Sequence, residues 1–199
     1  MKLGNLFLMG AALAASSAAL ADDIAIGVPA YGGTGCPAGT ASVTLRPDNQ
    51  ALSILFDQFV VEAGGSTGRR VDRKACNIAI PVHVPQGYSL SVFQVDYRGF
   101  NSLPAGARSQ FNVEYFFAGS MGPRYSKIFS GPQNQDYLLS NTLLAEAVIW
   151  SPCGKDVTLR TNANMMAMTN NWGEQTLSSV DSMDLSAGII YQLQWRRCN

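Results

Sequence analysis

The sequence predicts an all-β protein: one antiparallel β-sandwich, jelly-roll-like, of about eight to ten strands, closed by two disulfides. Three observations carry that expectation. Short β-branched or aromatic runs recur at roughly even spacing, as in sandwiches and barrels. Gly and Pro punctuate nearly every junction between them. Beyond residue 21, no window shows the 3.6-residue apolar stripe of a surface helix. A closed barrel satisfies the same pattern and is the near alternative.

Residues 22–40 are rich in Gly, Ala and Pro and read as an irregular lead-in arm. Ala41 to Arg46 and Ala51 to Asp57 alternate around Pro47-Asp48-Asn49-Gln50, a turn cluster in which Pro fixes φ and Asp and Asn tolerate turn geometry. They form the clearest hairpin, and Phe59 to Ala63 extends or bends its second strand. Gly64 to Lys74 reads as a glycine-led basic loop. Cys76 to Val84 then alternates cleanly, with Ile78, Ile80, Val82 and Val84 on one face and Asn77, Ala79, Pro81 and His83 on the other. Pro81 lacks an N–H and marks an edge or a bulge. Further strand-like runs are Tyr88 to Phe100, Gln110 to Ala118, Tyr137 to Leu144, Glu146 to Trp150, Val157 to Met168 and Ile189 to Arg197. No repeat or linker divides the chain, so residues 22–199 read as a single domain.

The chain begins with a basic residue, Lys2, then an apolar run from Leu6 to Leu20, then Ala19-Leu20-Ala21 before Asp22. That order reads as a secretory signal peptide over residues 1–21, too short and interrupted to be a membrane span. It predicts a secreted, extracellular protein, with periplasmic retention the other destination export allows. Cys36, Cys76, Cys153 and Cys198 all follow the cleavage site, and an even count in an oxidising compartment predicts two disulfides. Four cysteines allow three pairings. The favoured one joins Cys36 to Cys76 and Cys153 to Cys198, each bond bracketing one half of the domain. Fourteen basic residues balance fourteen acidic ones, so no global field draws the chain to nucleic acid or an anionic membrane.

Six landmarks in order carry a family resemblance: Gly35-Cys36-Pro37-Ala38-Gly39-Thr40, Arg73-Lys74-Ala75-Cys76, Tyr97-Arg98-Gly99-Phe100, Phe129-Ser130-Gly131-Pro132, Trp150-Ser151-Pro152-Cys153-Gly154 and Gln194-Trp195-Arg196-Arg197-Cys198. Together they resemble the small secreted proteins grouped as the domain of unknown function DUF4360. The resemblance implies secretion and a disulfide-bearing β domain. It carries no established activity and so transfers no catalytic or binding residue.

The candidate chemistry is sparse. Gly64-Gly65-Ser66-Thr67-Gly68 has the spacing of a G-x-S-x-G nucleophile elbow, but that turn needs an apolar helix behind it, and Arg69-Arg70-Val71-Asp72-Arg73-Lys74 follows. His83 has no companion histidine, and the cysteines lack CxxC spacing, so no metal site is predicted. Gly33-Thr34-Gly35 is expected to follow no strand and open no helix, and Cys36 and Pro37 come next, so it reads as no phosphate loop. Met165, Met166 and Met168 read as core filling rather than a Cu(I) site. Asp48, Asp57, Asp181 and Asp184 lack Ca²⁺-loop spacing. No cofactor is implied.

Two features remain as ligand-binding candidates. Arg69, Arg70, Arg73 and Lys74 form the densest charge feature, and Arg forks suit carboxylate or phosphate groups on an acidic polymer. Trp172, between Asn171 and Gly173, is the best candidate for an exposed ring that stacks on a sugar. Tyr115, Phe116 and Phe117 cannot all face inward on a regular strand. The leading reading is an exported, non-enzymatic module that binds an extracellular polysaccharide or cell-wall component. A self-associating protein of an extracellular matrix or coat is the alternative, and a polymer hydrolase without nameable residues the third.

Overall fold

A computed structural model describes residues 23–181 and 188–198 of the chain. The expected signal peptide, residues 1–21, lies outside them, as does Asp184.

The described residues form two antiparallel sheets facing each other across one core. In chain order the strands are β1 (Ala25–Ile26), β2 (Ala30–Gly32), β3 (Ala41–Leu45), β4 (Ala51–Phe56), β5 (Val60–Ala63), β6 (Val71–His83), β7 (Tyr88–Leu103), β8 (Arg108–Phe117), β9 (Arg124–Ser130), β10 (Gln133–Thr142), β11 (Val157–Met168), β12 (Thr176–Ser179) and β13 (Ile189–Arg197). The six-stranded sheet runs β1-β6-β11-β8-β9, with β2 also on β6. The seven-stranded sheet is built around β7, whose first half pairs with β13 and whose second half pairs with β12 on one side, while β10 covers the other side.

The alternation noted in the sequence decides which side of each strand meets the core. Ile78, Ile80 and Val82 of β6 are buried, and Asn77 and Pro81 are exposed. Phe111, Val113, Tyr115 and Phe117 of β8 point inward, which turns Phe116 out. Aromatic pairs knit the sheets together: Tyr97 of β7 packs edge-on to Phe111 at 5.3 Å and stacks on Tyr125 of β9 at 5.1 Å, and Tyr115 meets Tyr191 of β13 at 5.5 Å. Such ring geometries add to the burial of the rings themselves.

Both disulfides form in the favoured pairing. Cys36–Cys76 pins the lead-in arm to β6, and Cys153–Cys198 ties the segment after β10 to the C-terminus. The hairpin of β3 and β4 turns through Asn49 at φ 57°, the left-handed geometry that Asn tolerates.

Three expectations need correction. The lead-in is not wholly irregular, because β1 and β2 add to the free side of β6. Pro81 explains their separation. Its carbonyl, which shares a side with its missing donor, accepts the Gly27 N–H at 2.8 Å, so the gap in the ladder falls where no donor exists. The basic stretch is a loop only as far as Arg70, since β6 begins at Val71 and carries Arg73 and Lys74. β11 is long enough to pair with it throughout, down to Met168 opposite Val71. Glu146 to Trp150 is not a strand. Ala145–Ala147 is a 3₁₀ turn, and Trp150 makes a single bridge to Ser91. Here the Ser151 hydroxyl, rather than a continuing ladder, receives the Leu90 N–H at 2.8 Å, and Pro152 has no N–H to continue it.

Candidate functional site

Trp172 sits on the loop that leaves β11, and its side chain is 79% exposed. The loop is held from beneath by Asn170, which is 4% exposed. The Asn170 Oδ1 accepts the backbone N–H of Trp172 at 3.1 Å and that of Glu174 at 3.2 Å, while its Nδ2 donates to the Ala105 carbonyl at 2.9 Å and to the Glu174 carboxylate. An Asn side chain that accepts from residues two and four positions on makes a local turn without help from a ladder. The large ring therefore stands in water on a fixed support.

The loop containing Arg69 and Arg70 lies against the Trp172 loop. The Gly65 N–H donates to the Gly173 carbonyl at 2.9 Å, and the Thr169 N–H donates to the Arg70 carbonyl at 3.0 Å. Gly64 makes the approach possible: at φ 73°, a Cβ on it would stand 2.1 Å from the Glu174 carbonyl oxygen. Two features singled out separately in the sequence are thus neighbours at one end of the sandwich.

The four basic residues do not act as one patch. Arg69 is paired with Asp72 at 3.2 Å, and Asp72 also accepts the Glu62 N–H at 3.0 Å. Arg70 is exposed on the loop. Arg73 points from β6 to the outer face of the six-stranded sheet, and Lys74, one residue on, takes the other side, its Nζ reaching the Gln58 carbonyl at 3.5 Å. Period-two alternation along the strand separates them.

The other sequence candidates fall into structural roles. Ser66 lies in a 3₁₀ turn, Gly65–Thr67, and strand β6 follows rather than the helix an elbow requires. His83 Nδ1 is 2.7 Å from Asp156 Oδ1. Of the three methionines expected to fill the core, Met165 does so, whereas strand alternation turns Met166 and Met168 to the outer side of β11.

The sequence reading missed the outer face of the six-stranded sheet. Register places Asn77, Asn162, Glu114 and Arg124 in one row across β6, β11, β8 and β9, and Ala75, Asn164, Asn112 and Ser126 in the next. Three depressions of about 370, 340 and 240 Å³ lie along this face, the second sharing Asn112 and Asn164 with the first and Asn162 with the third. The pattern Asn162-Ala163-Asn164, opposite Asn112-Val113-Glu114, was visible in the sequence, but only register brings the two segments side by side.

The family model described as "Domain of unknown function (DUF4360)" matches residues 22–198. The chain belongs to this family. An uncharacterized secreted protein of Arthroderma benhamiae (strain ATCC MYA-4681 / CBS 112371) is 33% identical to this DUF4360 chain over 169 residues, covering 84% of the chain and 69% of the relative. With that relative and two disulfides formed, this DUF4360 protein is a secreted one. Among solved structures, TmCBM61 in complex with β-1,4-galactotriose aligns at a TM-score of 0.28 and 10% identity, over 85% of this chain and 88% of that one. A family 11 carbohydrate-binding module from Clostridium thermocellum, in complex with a β-1,3-1,4-mixed-linked tetrasaccharide, aligns at a TM-score of 0.25 and 6% identity, over 87% and 89%. At these TM-scores neither alignment bears on what this chain binds.

Proposed function

We propose that this protein is an exported, non-enzymatic module that binds an extracellular polysaccharide or cell-wall component. The observation that carries the reading is Trp172: a 79% exposed indole on a turn locked by a buried Asn. Leaving a ring of this size in water forgoes the burial that usually recruits tryptophan to a small domain. A rigid, flat, amphipathic surface suits stacking on a pyranose ring, and prior fixing of the loop reduces the entropy lost on binding. Arg69 and Arg70 beside it supply donors for acidic groups on the same polymer.

Retention on insoluble cell-wall and polysaccharide fractions tests this reading. The oxidised mature protein should be retained saturably, and Trp172→Ala should lose most of that retention while keeping its thermal midpoint. Absence of retention on every fraction would overturn it.

Self-association is a second reading, supported by two uncovered strands. Among the described residues β9 pairs only with β8 and β10 only with β7, and each carries an exposed aliphatic residue, Ile128 and Leu138. Unpaired strand edges are templates for further pairing. Light scattering that shows growth in size with concentration would favour it, and a monomer at every concentration would exclude it.

A further inference from the structure

The outer face of the six-stranded sheet is an unusual surface for a solvent-facing sheet. Asn is depleted in strands, where β-branched and aromatic residues fit the pleat better. Yet Asn77, Asn112, Asn162 and Asn164 sit across three adjacent strands of this face, with Gln110 beside them. Part of their hydrogen-bonding capacity is used internally. Asn112 Nδ2 donates to Asn164 Oδ1 at 3.0 Å, and Asn112 Oδ1 accepts from Ser126 Oγ at 2.7 Å and Gln110 Nε2 at 3.1 Å. These bonds fix the amides in place. Among the described residues the amides of Asn77 and Asn162 take no side-chain partner, and the Asn164 Nδ2 donors stay open.

Charge adds direction to this polarity. Arg73 lies opposite Met166, and Arg160 stands six residues further along β11, roughly 20 Å away at the rise of a strand. Arg108, opposite Met168, extends the series beyond Arg73. Among the described residues none of the three forms an ion pair, whereas Arg46, Arg69 and Arg124 all do. The carboxylate within these rows, Glu114, is already bonded to Arg124 at 3.1 Å. A protein with equal numbers of acidic and basic residues has therefore gathered unpaired guanidinium groups at both ends of an amide-lined trough.

We infer that this trough binds an extended acidic polysaccharide, the amides of Asn77, Asn162 and Asn164 taking ring hydroxyls and Arg73 and Arg160 taking carboxylates of separated uronate units. Amides offer donors and acceptors together, as a hydroxyl does, and each guanidinium fork matches a carboxylate. The separation of the two arginines selects a chain of several units over a single sugar. The inference deepens the polysaccharide-binding reading and rests on it, but places the contact on a sheet face rather than on the Trp172 loop alone.

The test uses oxidised mature protein titrated calorimetrically with polygalacturonate and with alginate, beside methyl-esterified polygalacturonate and a neutral glucan. Arg73→Gln/Arg160→Gln, Asn162→Ala/Asn164→Ala and Trp172→Ala variants are compared, with thermal midpoints confirming that each folds. The wild type should bind at least one polyuronate, weaken on esterification and on added salt, and lose about tenfold or more in the double Arg variant. The double Asn variant should weaken as well. Binding to neither polyuronate, equal binding to the esterified polymer, or full binding by the double Arg variant would each overturn the inference. Retention on a neutral or cell-wall fraction that depends on Trp172 but not on Arg73 and Arg160 would leave the broader reading standing, whereas retention on no fraction would remove both. Should a double variant fail to fold, the comparison of esterified with free polymer decides on the wild type alone.

Discussion

Thr161 of β11 and Tyr191 of β13 meet hydroxyl to hydroxyl at 2.7 Å in the space between the sheets. Both are fully buried. The bond satisfies two polar groups that the core would otherwise strand, and it links the sheets at one fixed register, because each hydroxyl reaches only its opposite number. Removing one partner should cost about 1–3 kcal/mol, since the other is left buried and unpaired. Tyr191→Phe and Thr161→Val should each lower stability by that order. The double variant should cost less than the sum of the two. Urea unfolding of the four proteins in a double-mutant cycle measures it, and strict additivity would show that the bond carries no coupling.

The disulfides close loops of 40 and 45 residues in sequence separation. In the loop-entropy account each contributes about 4 kcal/mol by restricting the unfolded chain. Cys36→Ala/Cys76→Ala should free the lead-in arm and lower the melting temperature. Cys153→Ala/Cys198→Ala should do so too and also loosen the C-terminal strand, where the Trp195 Nε1 donates to the Asn49 carbonyl at 2.9 Å. Calorimetry of both variants checks this, and an unchanged melting temperature in either would contradict it.

Stability should fall at both ends of the pH scale, for different residues. Burial opposes the charge on Asp96, but side-chain hydrogen bonds from Ser140, Gln192 and Gln94, together with Arg98, hold its carboxyl below its ordinary value. Its contribution is present above the unfolded carboxylate pKa, about 4, and is lost as pH falls through the lowered folded value. Burial, against a smaller contribution from Asn141, pushes the Tyr115 phenol up to about 12. Tyr97 and Tyr191 are pushed up as well, chiefly by burial. The unfolded chain ionises first, so this stability is complete below pH of about 10 and declines as pH rises from there. Denaturant midpoints measured across pH should show the Asp96→Asn deficit shrinking in acid, and Tyr115→Phe flattening the alkaline decline.

Asn170 and Trp172 divide support from display. Trp172→Ala removes an exposed ring and should change stability by no more than about 0.5 kcal/mol. Asn170→Ala removes a buried side chain with four hydrogen-bond partners and should destabilise by about 1–3 kcal/mol. It should also weaken polysaccharide retention, because the ring then loses its fixed orientation. Proteolysis of the 169–175 loop would report the loosening directly, and equal resistance in wild type and variant would contradict the support role.

The fold class and most of the strands are legible in the chain because period-two alternation and Gly/Pro punctuation are local signals, whereas the cysteine count leaves three pairings open and only the fold selects the favoured one. β9, β12 and the two lead-in strands escaped that reading for identifiable reasons. In β9, Lys127 takes an inward-side position and Ile128 an outward one, which inverts the pattern. β12 buries Thr176, Ser178 and Ser179, polar residues accommodated only because Ser178 bonds to Asn101 and Ser179 to its neighbours. The 3₁₀ turn after β10 looked like a strand because Val148 and Ile149 are β-branched, yet among the described residues neither has a ladder partner. Trp172 was legible as an exposed ring from its Asn and Gly neighbours. The amide trough was not, since its rows join residues from four separate strands.

The most direct test of the polysaccharide-binding account is retention of the oxidised mature protein on insoluble cell-wall and polysaccharide fractions, beside Trp172→Ala and a variant neutralised at Arg69, Arg70, Arg73 and Lys74. The account predicts saturable retention that Trp172→Ala largely abolishes and that neutralisation of the four basic residues weakens on acidic fractions. Equal retention of all three proteins, or none of any of them, would contradict it.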